Sequence, residues 1–155
     1  IDLSKGLGAP VGAVLAGSEG FIREAWRWKQ RIGGAMRQAG IIAADGVYAL
    51  NHNVERLAED HEHARRLACR ISDAPGIGVN PDEVETNMVR FDVAGTGLSG
   101  REFAARLLSA SGVRVSVPAP TAIRAIPNLG ISRTDIDEAA DAICALAASL
   151  ARQGG

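Results

Sequence analysis

A lone lysine stands in a glycine-rich, otherwise uncharged turn, Ser4-Lys5-Gly6-Leu7-Gly8-Ala9-Pro10-Val11-Gly12, and no other basic residue occurs before Arg23. Glycines let backbone or a flat ligand come close to such a side chain. An ammonium in apolar surroundings gives up its proton more readily, and the neutral amine adds to a carbonyl carbon to form a Schiff base. Lys5 is therefore a candidate reactive amine, although an ordinary solvated turn has the same composition. Two arginines supply candidate anion sites. Arg37 falls in the first turn of a helix expected to start at Ala35, where a cation is unfavourable unless an anion accompanies it. The alternative for Arg37 is plain solvation. Arg124 shares a strand face with Ala122 and Ile126, and its small neighbour leaves room for the guanidinium fork to receive a carboxylate. An exposed sheet edge would also accommodate it.

Other chemistry-bearing patterns point to structure. His61 and His63 are two residues apart on an expected helix, so they diverge and cannot chelate one metal together. Gly95-Thr96-Gly97-Leu98-Ser99-Gly100 has the spacing of a dinucleotide-binding turn. No acid occurs between Glu102 and Asp135 to bind a ribose, the preceding strand alternates, and Ser99 with Glu102 forms a capping box. Cys69 and Cys144 lie far apart in apolar helical patterns, without disulfide or zinc spacing.

The elements that must position these groups follow from periodicity. Residues 11–16 form a short apolar run expected as a buried strand directly after the lysine turn. Ser18 and Glu19 open a helix over 21–31 whose Ile22, Ala25, Trp26 and Lys29 share one face and whose aromatics are expected in the core. Gly33-Gly34 breaks it, and a second helix is expected from Ala35 through Ile41, Ile42, Val47 and Leu50. Residues 53–71 read as one amphipathic helix, acids leading and arginines ending, with a Glu62–Arg66 pair on a solvated face. Asp73-Ala74-Pro75-Gly76 stops it. Val89, Phe91 and Val93 alternate against Met88, Arg90 and Asp92, the pattern of a half-exposed antiparallel strand. A helix over 101–110, strands over 113–117 and 121–126, and a last helix capped by Thr134 or Asp135 complete the chain, with Ile136, Ala140, Ile143, Ala147 and Leu150 along one face.

The chain has 155 residues and a formal net charge of −1, with acids and bases interspersed. No electrostatic footprint for nucleic acid or an anionic membrane is present, so a small-molecule partner is expected. The longest apolar run, residues 7–16, is too short to span a bilayer, and cysteine usage suggests a reducing, cytoplasmic compartment.

Three segments together resemble the pyridoxal-phosphate-dependent threonine aldolases, in the β-eliminating lyase group of fold type I enzymes. They are Leu3-Ser4-Lys5-Gly6-Leu7-Gly8-Ala9-Pro10-Val11-Gly12, then Gly33-Gly34-Ala35-Met36-Arg37-Gln38-Ala39-Gly40, then Ile123-Arg124. Tyr48-Ala49-Leu50, Asn53-Val54-Glu55-Arg56-Leu57-Ala58-Glu59-Asp60-His61 and Thr86-Asn87-Met88 extend the likeness along essentially the whole chain. The resemblance implies an α/β fold: residues 1–52 as the C-terminal part of a pyridoxal-phosphate-binding large domain, and 53–155 as a small domain with antiparallel strands. It implies that Lys5 carries the cofactor as a Schiff base with Ser4 close by, that Arg37 lies near the cofactor phosphate and reaches a neighbouring subunit's site, and that Arg124 holds a substrate carboxylate. The implied reaction is retro-aldol cleavage of a β-hydroxy-α-amino acid such as threonine to glycine and an aldehyde, in a homo-oligomer.

The sequence also departs from that family. A Thr-His-x-Asp-like run typically follows the carboxylate arginine, whereas Ala125-Ile126-Pro127-Asn128-Leu129-Gly130 has neither the histidine nor the acid. Gln30, beside Lys29, replaces a basic residue seven positions before Arg37. The ring-stacking histidine, the acid facing the pyridine nitrogen and the main phosphate loop belong to an N-terminal part of the family, so the chain is expected to be an inactive fragment by itself. Another fold type I activity, β-elimination or transamination, and a non-catalytic piece retaining oligomer surfaces are the alternatives.

Overall fold

The computed structural model describes residues 1–153. Its elements are α1 (Glu19–Arg31), α2 (Gly40–His52), α3 (Leu57–Ile71), β1 (Val89–Asp92), α4 (Gly100–Ser111), β2 (Ala122–Ala125) and α5 (Arg133–Gln153), with short 3-10 turns at Pro81–Glu83 and Ala94–Thr96. The class is α/β, as expected. The chain divides into two compact units, Ile1–Leu57 and the residues from Ala58 onward. No helix of the described residues is long and apolar enough to cross a membrane.

In the first unit, the lysine turn folds back on itself. Leu3 N–H donates to Gly12 O at 3.1 Å, Ala9 N–H to Leu3 O at 3.0 Å and Gly8 N–H to Lys5 O at 2.9 Å. Gly8 has φ +73°, the left-handed region where a Cβ is unfavourable. Leu3, Leu7 and Ala9 are buried with Ala49 of α2, and Leu57 packs against them. The expected strand over 11–16 is not formed. This stretch pairs only with residues 1–3, through the antiparallel Asp2–Ala13 bridge and the bonds that Ile1 exchanges with Val14 and that Leu3 N–H donates to Gly12 O, and Val11, Val14 and Leu15 are exposed. Pairing with one short segment cannot cover an apolar face, so the run stays exposed.

Helix α1 starts where the cap residues place it, with Ser18 Oγ accepting from Phe21 N–H. Its expected core face is a correction: no residue of α1 is buried, and Phe21, Trp26 and Trp28 are each more than half exposed. Lys29 and Arg31 stack over Trp26 and Trp28 instead, each 5.2 Å from the ring. Helix α2 begins at Gly40, not Ala35, because residues 33–39 contain no Ser, Thr, Asp or Asn to anchor an N-terminus and Ala39 supplies no side-chain cap.

The second unit holds the larger core. β1 and β2 pair antiparallel with Val89 opposite Ala125, Arg90 opposite Arg124, Phe91 opposite Ile123 and Asp92 opposite Ala122. The buried face of β1 is the one predicted by alternation. Val89, Phe91, Ile123 and Ala125 pack with Phe103 and Leu107 of α4 and with Ile136, Ala140, Ile143 and Ala147 of α5. Phe91 and Phe103 meet edge to face at 6.5 Å. Of the expected strand over 113–117, only Ser116 pairs, as a bridge to Arg124.

Helix α3 begins at Leu57; residues 53–56 are turn. Its charged side is not simply a solvated face. Asp60 is fully buried, and Arg66 binds Asp137 of α5 rather than pairing with Glu62, Nε to Oδ1 at 2.6 Å and Nη2 to Oδ2 at 2.9 Å. Arg70 Nη1 adds a third bond to Asp137 at 2.9 Å. Helix α5 buries Ile136, Ala140, Ile143, Ala147 and Leu150, as the periodicity predicts. Its cap is Ser132 rather than Thr134 or Asp135: Ser132 Oγ accepts from Asp135 N–H, and the Asp135 carboxylate accepts from Ser132 N–H at 2.7 Å.

Candidate functional site

Lys5 sits at the apex of the turn whose flanks, Leu3 and Leu7, are the buried anchors. Its side chain is 76% exposed, and its nearest acid, Asp2, leaves Nζ 3.9 Å from Oδ2. An exposed pair at that separation contributes little, so the amine is not consumed by a structural ion pair. Asp2 instead accepts both donors of Ser4, the amide at 3.1 Å and the hydroxyl at 3.0 Å, through Oδ1. These Ser4 bonds, aided by the Lys5 charge, hold the Asp2 carboxyl below the ordinary carboxylate range. Gly6 packs closely against Leu57, whose Cδ2 would have to move to admit a Cβ at 2.7 Å. The backbone that presents Lys5 is thus tied by hydrogen bonds and close packing while the amine itself stays accessible.

Arg37 belongs to the same unit but lies three residues ahead of the first residue of α2, in the loop following Gly33. It is not in a helical first turn, which removes the helix-dipole reason for an anion at that position. Its guanidinium is exposed, and no hydrogen bond or ion pair joins it to Ser4 or Lys5. Ser4 and Lys5 are therefore brought together, and Arg37 is not joined to them.

Arg124 belongs to the second unit, on β2, and is half-buried. Its backbone N–H and C=O both bond to Ser116, at 2.8 and 3.0 Å. Ser116 Oγ accepts from Nε at 3.0 Å and donates to Arg124 O at 3.1 Å. Among the described residues the two terminal nitrogens have no such partner, so the end of the fork points free for a carboxylate. Sequence reasoning did not find Asp2 or Ser116. Asp2 could have been found from its spacing of three from Lys5, whereas Ser116 reaches Arg124 only through the sheet.

The structural explanation of the glycine-rich turn at 95–100 is confirmed. Ser99 Oγ accepts from Glu102 N–H, and the Glu102 carboxylate accepts from Ser99 N–H at 3.0 Å. The Ser99 hydroxyl and amide hold the Glu102 carboxyl below its ordinary range. Gly95 faces backbone rather than a ligand: a Cβ there would lie 2.7 Å from Gly76 Cα. His61 is exposed and His63 is half-buried with an unpartnered Nδ1; no group of three or more His, Cys, Asp or Glu placed to hold a metal occurs among the described residues.

Within the first unit the residues present fit the needs of a pyridoxal phosphate: an accessible amine on a tied turn for the aldehyde, and the exposed Arg37 guanidinium for an anion. The beta-eliminating lyase profile matches residues 1–94. A low specificity L-threonine aldolase of Escherichia coli K12 is 41% identical over 141 residues, covering 90% of this chain and 40% of that protein. A probable low-specificity L-threonine aldolase 2 of Arabidopsis thaliana is 41% identical over 138 residues, covering 88% of this chain and 39% of that protein. A solved structure described as an L-allo-threonine aldolase from Listeria monocytogenes superposes with a TM-score of 0.69 at 21% identity, covering 94% of this chain and 43% of that one, and so shares the fold. The chain spans about two fifths of the length of the curated relatives it matches.

Proposed function

Because the chain belongs to the beta-eliminating lyase family, we propose that the protein containing it is a pyridoxal-phosphate-dependent lyase that cleaves a β-hydroxy-α-amino acid such as threonine to glycine and an aldehyde. The observation that carries this reading is the accessible amine of Lys5 on a tied glycine turn, beside Ser4. The threonine aldolases among its relatives support the substrate class.

Lys5 would hold the cofactor through Nζ, as the one lysine on the tied glycine turn. Arg124 receives the substrate α-carboxylate on its free terminal nitrogens, while Ser116 fixes Nε and hence the plane of the fork. Arg37 would hold the cofactor phosphate in a homo-oligomer. Asp2 keeps the Ser4 hydroxyl in one orientation beside the amine. Pyridoxal phosphate, when bound, supplies the electron sink for breaking the Cα–Cβ bond. The β-hydroxyl loses its proton as the aldehyde forms, and Cα gains one as glycine forms.

We assign residues 1–52 to the end of a cofactor-binding large domain and 53–155 to a small domain, in a cytoplasmic enzyme. The 155 residues by themselves are proposed to be inert, since Lys5, Arg37 and Arg124 leave the pyridine nitrogen without an assigned acid. The reading is tested by incubating the protein containing the chain with pyridoxal phosphate and threonine and measuring glycine and acetaldehyde in equal amounts, with Lys5→Ala as control. Product release that persists in the variant would defeat it.

A further inference from the structure

Arg90 stands directly opposite Arg124 across the β1–β2 pair. The backbone groups of Arg124 bond to Ser116, on the side away from β1. Arg90 and Arg124 are therefore a non-hydrogen-bonded cross-strand pair, the kind in which opposing residues come closest, with Cα atoms about 4.5 Å apart. Both lie on the face away from the core, Arg90 exposed and Arg124 half-buried. Like charges directly opposite one another destabilise a sheet, so a stable fold with this pair calls for an anion to offset it.

Among the described residues no acid forms an ion pair with either arginine. Asp92 is two residues from Arg90 on the same side of β1, but Ala94 N–H donates to its Oδ1 at 2.7 Å and Thr121 Oγ1 donates to its Oδ2 at 2.6 Å. Glu83 and Glu85 line a groove that Arg90 also lines, together with Asn80, Thr86 and Met88. Glu83 accepts from Asn80 Nδ2 at 3.0 Å, and neither glutamate forms an ion pair with Arg90. Arg90 and Arg124 thus stand opposite one another on the outer face of the strand pair, and Ser116 holds Arg124 in place through Nε.

We infer that Arg90 and Arg124 together form a dianion site, in which Arg124 takes the α-carboxylate and Arg90 takes a second acidic group on the same molecule. The preferred substrate class is then a β-hydroxy-α-amino acid with an acidic side chain, for which 3-hydroxyaspartate is the simplest probe. Its retro-aldol cleavage balances as 3-hydroxyaspartate giving glycine and glyoxylate: the Cα–Cβ bond breaks, the hydroxyl proton leaves and Cα is protonated. This inference rests on the proposed lyase reading for its reaction but not for its binding.

The test is calorimetric titration of the cofactor-loaded protein containing the chain with 3-hydroxyaspartate and, separately, with threonine. 3-Hydroxyaspartate is expected to bind at least about tenfold more tightly than threonine, the size of one charge-assisted contact. Arg90→Gln removes that advantage and leaves threonine binding unchanged; Arg124→Gln weakens both. An unchanged preference in Arg90→Gln, an equal loss for both ligands in that variant, or no measurable binding of either ligand overturns the inference. Failure of the lyase reading looks different: neither amino acid yields glycine, yet the Arg90-dependent binding preference persists.

Discussion

Arg66 grips Asp137 with two parallel hydrogen bonds across 71 residues of sequence, joining α3 to α5. The Arg66 bonds, with Arg70 adding to them, bring the Asp137 carboxyl down to about 2 from its ordinary 3.8. A carboxyl depressed by folding contributes stability that is present above the unfolded value and is lost as pH falls through the folded one. Asp137→Asn is therefore expected to lower the urea midpoint at neutral pH and to flatten its dependence between about pH 4 and 2. An acid limb as steep as that of the parent would show that another carboxylate governs it.

Ser99 and Glu102 close the N-terminus of α4 reciprocally. Ser99→Ala should cost about 1 kcal/mol in denaturant unfolding, the usual loss for such a cap. Neither the parent nor the variant should bind NAD or NADP in a fluorescence titration. Binding that Ser99→Ala abolishes would restore the dinucleotide reading.

Gly95 and Gly76 press backbone to backbone, so a methyl at Gly95 would stand 2.7 Å from Gly76 Cα. Gly95→Ala should destabilise by about 1–3 kcal/mol, as overpacking does, whereas Gly97→Ala meets no atom within 4 Å and is opposed only by its φ of +77°. The contrast is read from the two unfolding curves. Equal tolerance at both positions would contradict the close approach.

The parts of the fold legible in the sequence were those whose cause is local or periodic. Ser18 and Ser99 marked helix starts, Gly33 and Gly76 marked stops, and the spacing from Ile136 to Leu150 marked the buried side of α5. What was misread depended on partners distant in the chain. The apolar stretch 11–16 pairs only with the short segment 1–3, Trp26 and Trp28 find no cover, and Arg66 takes an acid far from its helical neighbours. Lys5 in the first unit and Arg124 in the second are candidates legible from residue type and setting alone. Ser116, which holds Arg124, comes from a different segment of the sheet and left no trace in the spacing.

Arg124→Lys keeps the charge but removes both the fork and the Nε contact to Ser116. Amino-acid binding is expected to weaken about tenfold or more, measured as a rise in the dissociation constant for threonine with the cofactor band unchanged. An unaltered constant would take Arg124 out of the site.

Lys5, presented on its hydrogen-bonded glycine turn, is the amine proposed to hold the cofactor. Pyridoxal phosphate added to the protein containing this chain should produce a visible absorption band that borohydride reduction fixes covalently to Lys5. Lys5→Ala should abolish both the band and the labelled peptide. A band of equal strength in Lys5→Ala, or label recovered on another lysine such as Lys29, would contradict the account.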